Sequence, residues 1–264
     1  MNSPATATET GTAPAEAAPV LALEGLSWSV GGALIVGDIT MHVHEGGFTA
    51  LIGPNGAGKT SLFNLISGLT RPTAGRVLLD GRDITRQPPY RRARLGLGRT
   101  FQTSSVFADL DVGANVGLAA QARTGGSRRF WRRASSGAGP EVAETLDLVR
   151  LSHRTRVLAG DLSHGDKRKL ELALLLARGP RLILLDEPMA GVSAGEITEL
   201  TEVIRDVHRR QGRTVLMVEH HMEVLLDMAD HLAVMNHGAL LTLTDPDTAM
   251  ADPAVQAAYL GDGA

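Results

Sequence analysis

Gly53-Pro54-Asn55-Gly56-Ala57-Gly58-Lys59-Thr60-Ser61 follows a short apolar run, Phe48 to Ile52, and opens into Leu62-Phe63-Asn64-Leu65-Ile66. The order is strand, glycine-rich turn, helix. The spacing G-x-x-x-x-G-K-T is that of a phosphate-binding loop. The residue types follow from the chemistry. Glycines let backbone N–H groups converge on phosphate oxygens with no Cβ in the way. The helix that follows turns unpaired N–H groups and its positive dipole end toward the same phosphates. Lys59 is expected to reach the β- and γ-phosphates, and Ser61 the α-phosphate. The Thr60 hydroxyl is the kind of oxygen ligand that Mg2+ takes.

Composition narrows the class. The chain has 264 residues and is 43% hydrophobic, enough for one large domain or a core with a subdomain. A net charge of −3 supplies no global basic field for nucleic acid. Cysteine is absent, which excludes a disulfide framework and a thiolate zinc site. No apolar run reaches the ~18–20 residues that span a bilayer. Residues 1–19 are read as a disordered tail: Met1 to Ala18 is rich in Ala, Thr and Pro, and lacks the basic start and apolar centre of a signal peptide.

Working outward, Leu21 to Val30 and Asp38 to Val43 read as strands joined through Gly31-Gly32, and Arg76 to Asp80 as another. Pro88-Pro89 starts a basic segment with Arg91, Arg92, Arg94 and Arg99. From Ala108 to about Arg156 the pattern is mostly helical. One partial face holds Val112, Val116, Leu118 and Ala119; another holds Val142, Leu146, Leu148 and Val149. Between them, 123–139 is arginine-rich and free of acid, which reads first as a solvated loop and second as a contact for anionic lipid. A helix is expected from Lys167 to Arg178, with Ser163 suited to cap its start. Arg181 to Leu185 is an apolar strand. Ser193 to Arg210 is an amphipathic helix with a Ser193–Glu196 capping box. Thr214 to Val218, Leu232 to Met235 and Leu240 to Leu243 are late strands, and Pro253 to Leu260 a last helix. Strands alternating with helices imply a parallel, doubly wound core that binds ligands at the carboxyl ends of its strands.

Two of those strand ends carry chemistry. Asp186 closes Leu182-Ile183-Leu184-Leu185, where a phosphate-loop fold places the carboxylate that completes the Mg2+ shell. Glu187, next to it, is placed to polarise an attacking water. His220 follows Thr214–Val218 and is placed to hydrogen-bond the γ-phosphate. His221 and Glu223 adjoin it, but neighbours at a helix start do not converge on one metal ion.

The run from about Val20 to Leu260 resembles the ATP-binding subunits of ABC transporters. The order carries the resemblance: phosphate loop, glutamine loop at Gln102, LSHG signature at Ser163, LILLDE at Asp186 and Glu187, then His220. Within that class it is similar to the branched-chain amino acid importer ATPases. SLFNLISG at Ser61 to Gly68, GRTFQ at Gly98 to Gln102 and YLG at Tyr259 to Gly261 carry this narrower likeness. TSSVF, after Gln102, leans toward the urea importer ATPases. The resemblance implies an α/β fold: a RecA-like phosphate-loop core over 20–103 and 157–264, an N-terminal antiparallel β subdomain, and an inserted helical subdomain over 104–156. It implies ATP and Mg2+ as ligands, and a head-to-tail pair of ATPase subunits, the same or different. Ser163 and Gly165 of one copy would cover ATP on the other, and Gln102 would sense Mg2+ and nucleotide. The partners implied are membrane permease subunits and, indirectly, a substrate-binding protein outside the cell, with no nucleic acid. The place implied is the cytoplasmic face of the membrane, peripherally attached.

Three positions depart from the family pattern. The adenine-stacking aromatic falls near Val30, which is not aromatic; either Trp28, two residues back on the same strand face, substitutes for it, or base stacking is weak. His164 replaces a signature glycine, and Ser193 stands where many relatives carry Asp. A soluble ABC-type ATPase acting on nucleic acid or ribosomes is the competing class. Those proteins usually fuse two nucleotide domains or insert a long coiled coil. This chain has one phosphate loop, no sustained heptads and a mildly acidic balance.

Overall fold

In the computed structural model the described residues are 19–100, 106–123 and 139–260. Of the tail expected over 1–19, residues 1–18 lie outside them, while Pro19 already belongs to the first strand; Gln102 and residues 124–138 of the arginine-rich segment over 123–139 also lie outside.

Two sheets organise the chain. The first is antiparallel, in the order β2-β1-β4-β5, from β1 (Pro19–Val30), β2 (Ala33–His44), β4 (Ala74–Leu79) and β5 (Arg82–Asp83). The second holds β3 (Phe48–Ile52), β6 (Leu97–Arg99), β7 (Leu182–Asp186), β8 (Thr214–Val218), β9 (His231–Asn236) and β10 (Ala239–Thr244), in the order β10-β9-β3-β8-β7-β6. All neighbours in it are parallel except β10, which returns antiparallel to β9.

The physical reason for the parallel core is visible in its strands. Every residue of β3, β7 and β8 is buried. A strand covered on both faces reads as a continuous apolar run. Alternate residues feed two separate cores. Leu51, Leu184, Leu216 and Val218 face the antiparallel sheet and α1 (Lys59–Ser67). Ala50, Ile52, Ile183, Leu185, Val215 and Met217 face a helical layer. That layer includes α3 (Val112–Arg123), α4 (Pro140–Leu148), α5 (His164–Leu176) and α6 (Ala194–Gln211), with α3, α4 and α5 packed on one another.

Several element bounds differ from expectation. β2 starts at Ala33, not Asp38, because Val30 pairs with Ala33 across a two-residue turn in which Gly31 and Gly32 have φ of +57° and +85°. Two positive φ values match the twist of a tight hairpin. The strand also kinks where Asp38 takes φ +52° and gives its N–H to the Ser27 hydroxyl at 2.9 Å, which hides the alternation. Helix α5 begins at His164, a turn earlier than expected, because Ser163 caps it by accepting the Asp166 N–H at 3.1 Å. Val112 and Val116 are buried as expected, whereas Leu118 is exposed. Short helix α7 (Met222–Met228) follows the helix start expected at His221 and Glu223, whereas α8 (Pro246–Ala251) was not anticipated; α9 is Pro253–Leu260.

The end of α1 is held by a buried cation. Arg92, on α2 (Pro89–Arg94), is 1% exposed. Its Nη1 donates to the Leu65 and Ile66 carbonyls at 2.7 and 2.6 Å, Nε to Gln87 O at 2.9 Å and Nη2 to Thr85 O at 2.8 Å. Burial lowers its pKa to about 10, so it stays protonated at neutral pH. Helices leave their last carbonyls unpaired; here a guanidinium supplies the donors. Arg92→Ala orphans these acceptors, and a loss of about 3 kcal/mol in unfolding free energy is expected from the penalty on unpaired buried groups. Urea denaturation of the two proteins measures it.

Candidate functional site

The carboxyl ends of β3, β7 and β8 lie side by side, and the chain leaving each one carries an expected site residue. After β3 the loop Gly53–Gly58 turns into α1. Its conformation is reserved for glycine at two points. A Cβ on Gly53 would lie 2.1 Å from Met235 O, and Gly58, at φ +98°, has the Ile35 carbonyl 2.9 Å from where a Cβ would stand. The first helical bond runs from Leu62 N–H to Gly58 O at 2.8 Å. The amides of Lys59, Thr60 and Ser61 therefore precede the helical ladder and are free by position to meet an anion. Lys59 is 7% exposed and donates to Gly53 O at 2.6 Å and Pro54 O at 3.0 Å. Burial holds its ammonium below the ordinary lysine range, while the Glu187 carboxylate pulls the other way. Thr60 is exposed, next to the buried Lys59.

After β7, Asp186 is buried and its Oδ2 accepts from Arg99 Nη2 at 2.7 Å. Arg99 Nη1 donates to Asn64 Oδ1 at 2.8 Å and the Ser67 hydroxyl at 2.7 Å. One guanidinium thus ties β6, β7 and α1 together. The other oxygen, Asp186 Oδ1, is buried with no hydrogen-bond partner. A buried carboxylate oxygen without a donor is costly. A hard cation or its bound water would satisfy it, so the residues present fit Mg2+, which takes few protein ligands and keeps several waters. No cluster of three or more His, Cys, Asp or Glu suited to a metal exists among the described residues.

Glu187 has φ +47° and gives its N–H to Val218 O at 2.9 Å, extending the β7–β8 ladder by one bond. After β8, His220 sets its Nε2 3.0 Å from Glu187 Oε1. The nitrogen expected to meet a phosphate therefore rests on the carboxylate expected to activate water.

Ser163 and Gly165 form a separate cluster. The Ser163 hydroxyl donates to Glu196 Oε1 at 2.7 Å, and Glu196 Oε2 accepts from the Ser193 hydroxyl at 2.6 Å. Gly165 is packed so closely that a Cβ would meet Glu196 Oε1 at 2.7 Å. Hydrogen bonds from Ser193, and then from Ser163, hold the Glu196 carboxyl at about 2. The capping pair read from sequence is present, but its acid also reaches the signature serine. The His164 ring lies over Gly191, its Nε2 3.2 Å from a would-be Cβ.

Trp28 is partly buried against the core, whereas Val30 is 51% exposed at the hairpin end. That hairpin adjoins the phosphate loop through Ile35, whose carbonyl abuts Gly58. Sequence reading assigned no role to Arg99 or Glu219 and saw Glu196 only as a helix cap. Each is a charged residue flanking a recognised motif, and that position was the available signal.

A parallel sheet that delivers a phosphate loop, an acidic pair and a histidine to one edge defines a phosphate-loop ATPase. The chain belongs to the ABC transporter family, whose model matches residues 36–190. It is 35% identical over 252 residues to the high-affinity branched-chain amino acid transport ATP-binding protein BraF of Pseudomonas aeruginosa, covering 92% of this chain and 98% of that one. It is 36% identical over 251 residues to LivG, of the same description, from Salmonella typhimurium, with the same coverage. The crystal structure of the ADP conformation of an ATP-binding cassette of an ABC transporter superposes with a TM-score of 0.79 at 28% identity, covering 92% of this chain and 99% of that one.

The Glu196 cluster makes a prediction about pH. A carboxyl held below its ordinary value of 4.5 stabilises the fold above that value and loses its contribution as pH falls toward 2. The melting-temperature difference between wild type and Glu196→Gln should be full at pH 6 and shrink progressively below pH ~4.5. A difference independent of pH over that range would contradict the hydrogen-bond network.

Proposed function

We propose that this chain is the ATP-hydrolysing subunit of an importer for branched-chain or other apolar amino acids, acting from the cytoplasmic face of the membrane through separate permease subunits. The observation that carries the enzymatic part is the Glu187–His220 pair at 3.0 Å, on the sheet edge that also bears Lys59 and Asp186. The cargo rests on the descriptions of LivG and BraF. No helix among the described residues is long and apolar enough to cross a membrane.

The residues divide the work as follows. Gly53 to Ser61 bind the phosphates through loop and first-turn amides. Lys59 leaves the carbonyls of Gly53 and Pro54 and turns to the β- and γ-phosphates. Thr60 and Asp186 would hold Mg2+, directly or through water; Gln102, expected to join them, lies outside the described residues. When bound, the ion neutralises charge on the phosphate oxygens. Arg99 fixes Asp186 Oδ2 and leaves Oδ1 for the metal side. Glu187 takes a proton from water as its oxygen bonds to the γ-phosphorus and the bridging P–O bond to ADP breaks. His220 orients Glu187 and meets the γ-phosphate. Trp28 or Val30 lies against the adenine.

The described helices within 104–156, α3 and α4, belong to a subdomain inserted in the core of 20–103 and 157–264; Ser163 and Gly165, at the start of α5 that packs against them, turn toward the nucleotide of a second ATPase subunit. Reaching that nucleotide requires Ser163 to release Glu196. The permease subunits dock over the helical subdomain, and a substrate-binding protein outside the membrane selects the cargo.

Glu187→Gln should keep nucleotide affinity while turnover falls by about 100-fold or more, the scale of a lost general base. Trapped with ATP and Mg2+ and extracted from its own membranes, the variant should copurify with polytopic membrane proteins. Ribosomal proteins or nucleic acid in their place would overturn the transport assignment.

A further inference from the structure

Glu219 directly follows β8, and its carboxylate is almost fully buried, the residue being 3% exposed. An ionised carboxylate in such a place requires donors. Among the described residues, neither Lys nor Arg forms a salt bridge with it; its one ion-pair neighbour is His221, with Nδ1 3.0 Å from Oε2. The other donors are backbone. Met189 N–H reaches Oε1 at 2.7 Å, and His220 N–H reaches Oε2 at 2.8 Å.

These donors belong to two different loops. Met189 lies two residues after Glu187, on the loop leaving β7, and His220 lies on the loop leaving β8. Where the β7–β8 ladder stops, Glu187 N–H still bonds Val218 O at 2.9 Å. Pro188 follows and has no N–H. Met189 N–H is therefore the next available donor, and it goes to Glu219. The loop it holds is strained, since Glu187 sits at φ +47°, a region costly for a side-chain-bearing residue and kept only when its surroundings enforce it.

We propose that Glu219 is a positioning residue for hydrolysis: its carboxylate staples the loop bearing Glu187 to the loop bearing His220 and so sets the contact between them. This rests on the functional reading above, in which Glu187 is the base. The staple touches neither the phosphate loop nor Lys59, so it acts on turnover and leaves nucleotide capture alone. Glutamine has the same shape but turns an NH2 group toward one of the three donors, so one arm is lost. Aspartate keeps the charge but is one methylene too short to bridge both loops.

The test uses the full-length chain with Glu219→Gln, Glu219→Asp, Glu187→Gln and the double variant Glu187→Gln/Glu219→Gln. Melting temperatures establish folding, and titration with a fluorescent ATP analogue gives nucleotide affinity. In both Glu219 variants kcat is expected to fall on the order of 100-fold, the cost of misplacing a reacting group by about 1 Å, with KM and analogue affinity within about twofold of wild type. Because Glu219 acts through Glu187, adding Glu219→Gln to Glu187→Gln should lower the residual turnover no further. A folded Glu219 variant with wild-type kcat, a loss confined to KM, or multiplicative effects in the double variant would overturn the proposal. If Glu187→Gln alone retains turnover, it is the assignment of the base that fails, whatever Glu219 does. If Glu219→Gln does not fold, Glu219→Asp carries the same test.

Discussion

Burial of β3, β7 and β8 on both faces is the constraint from which the rest of this molecule follows. Three adjacent strands with no polar face need cover above and below, and the chain meets that need by crossing over between parallel strands. Parallel strands bring all their carboxyl ends to one edge. The phosphate loop, Asp186 with Glu187, and His220 are therefore neighbours because the buried central strands run parallel. The chemistry sits at the edge because that is where the backbone escapes the ladder and its amides become available.

The buried charges are placed at the joints of this frame. Arg92 closes the end of α1, Arg99 ties α1 and β6 to Asp186, and Glu219 ties the loop after β7 to the loop after β8. Each has several hydrogen-bond partners, as burial of a charge demands. A charge of this kind adds little net stability compared with a well-packed apolar group, but removing its partner is costly, and so it specifies geometry. In this molecule the geometry specified is the relative placement of loops that strand pairing alone leaves loose.

The Glu196 cluster shows the same economy in a different place. One carboxylate takes hydrogen bonds from Ser193, ahead of α6, and from Ser163, ahead of α5. The signature serine is thus satisfied within its own chain. An anion already occupies the start of α5, where the family likeness implies a phosphate from another subunit. Exchange of one anion for another at a helix start involves similar donors and little rearrangement of backbone.

Sequence alone determined the phosphate loop, because its glycines, lysine and threonine act through local backbone conformation that a spacing pattern encodes. It also determined that Asp186, Glu187 and His220 end strands, because β7 and β8 are apolar runs with abrupt polar stops. The connection through Gly31-Gly32 was legible, but the start of β2, and with it the tightness of the hairpin, was not, since the kink at Asp38 breaks the alternation by which a strand is recognised. Only the tertiary structure decided that Arg99 meets Asp186, that Glu196 meets Ser163, and that Glu219 joins two loops. Each of these contacts links residues remote in sequence, and nothing in the composition around an arginine or a glutamate encodes its distant partner. Local motifs carry their own geometry; a staple between loops exists only once the sheet has brought the loops together.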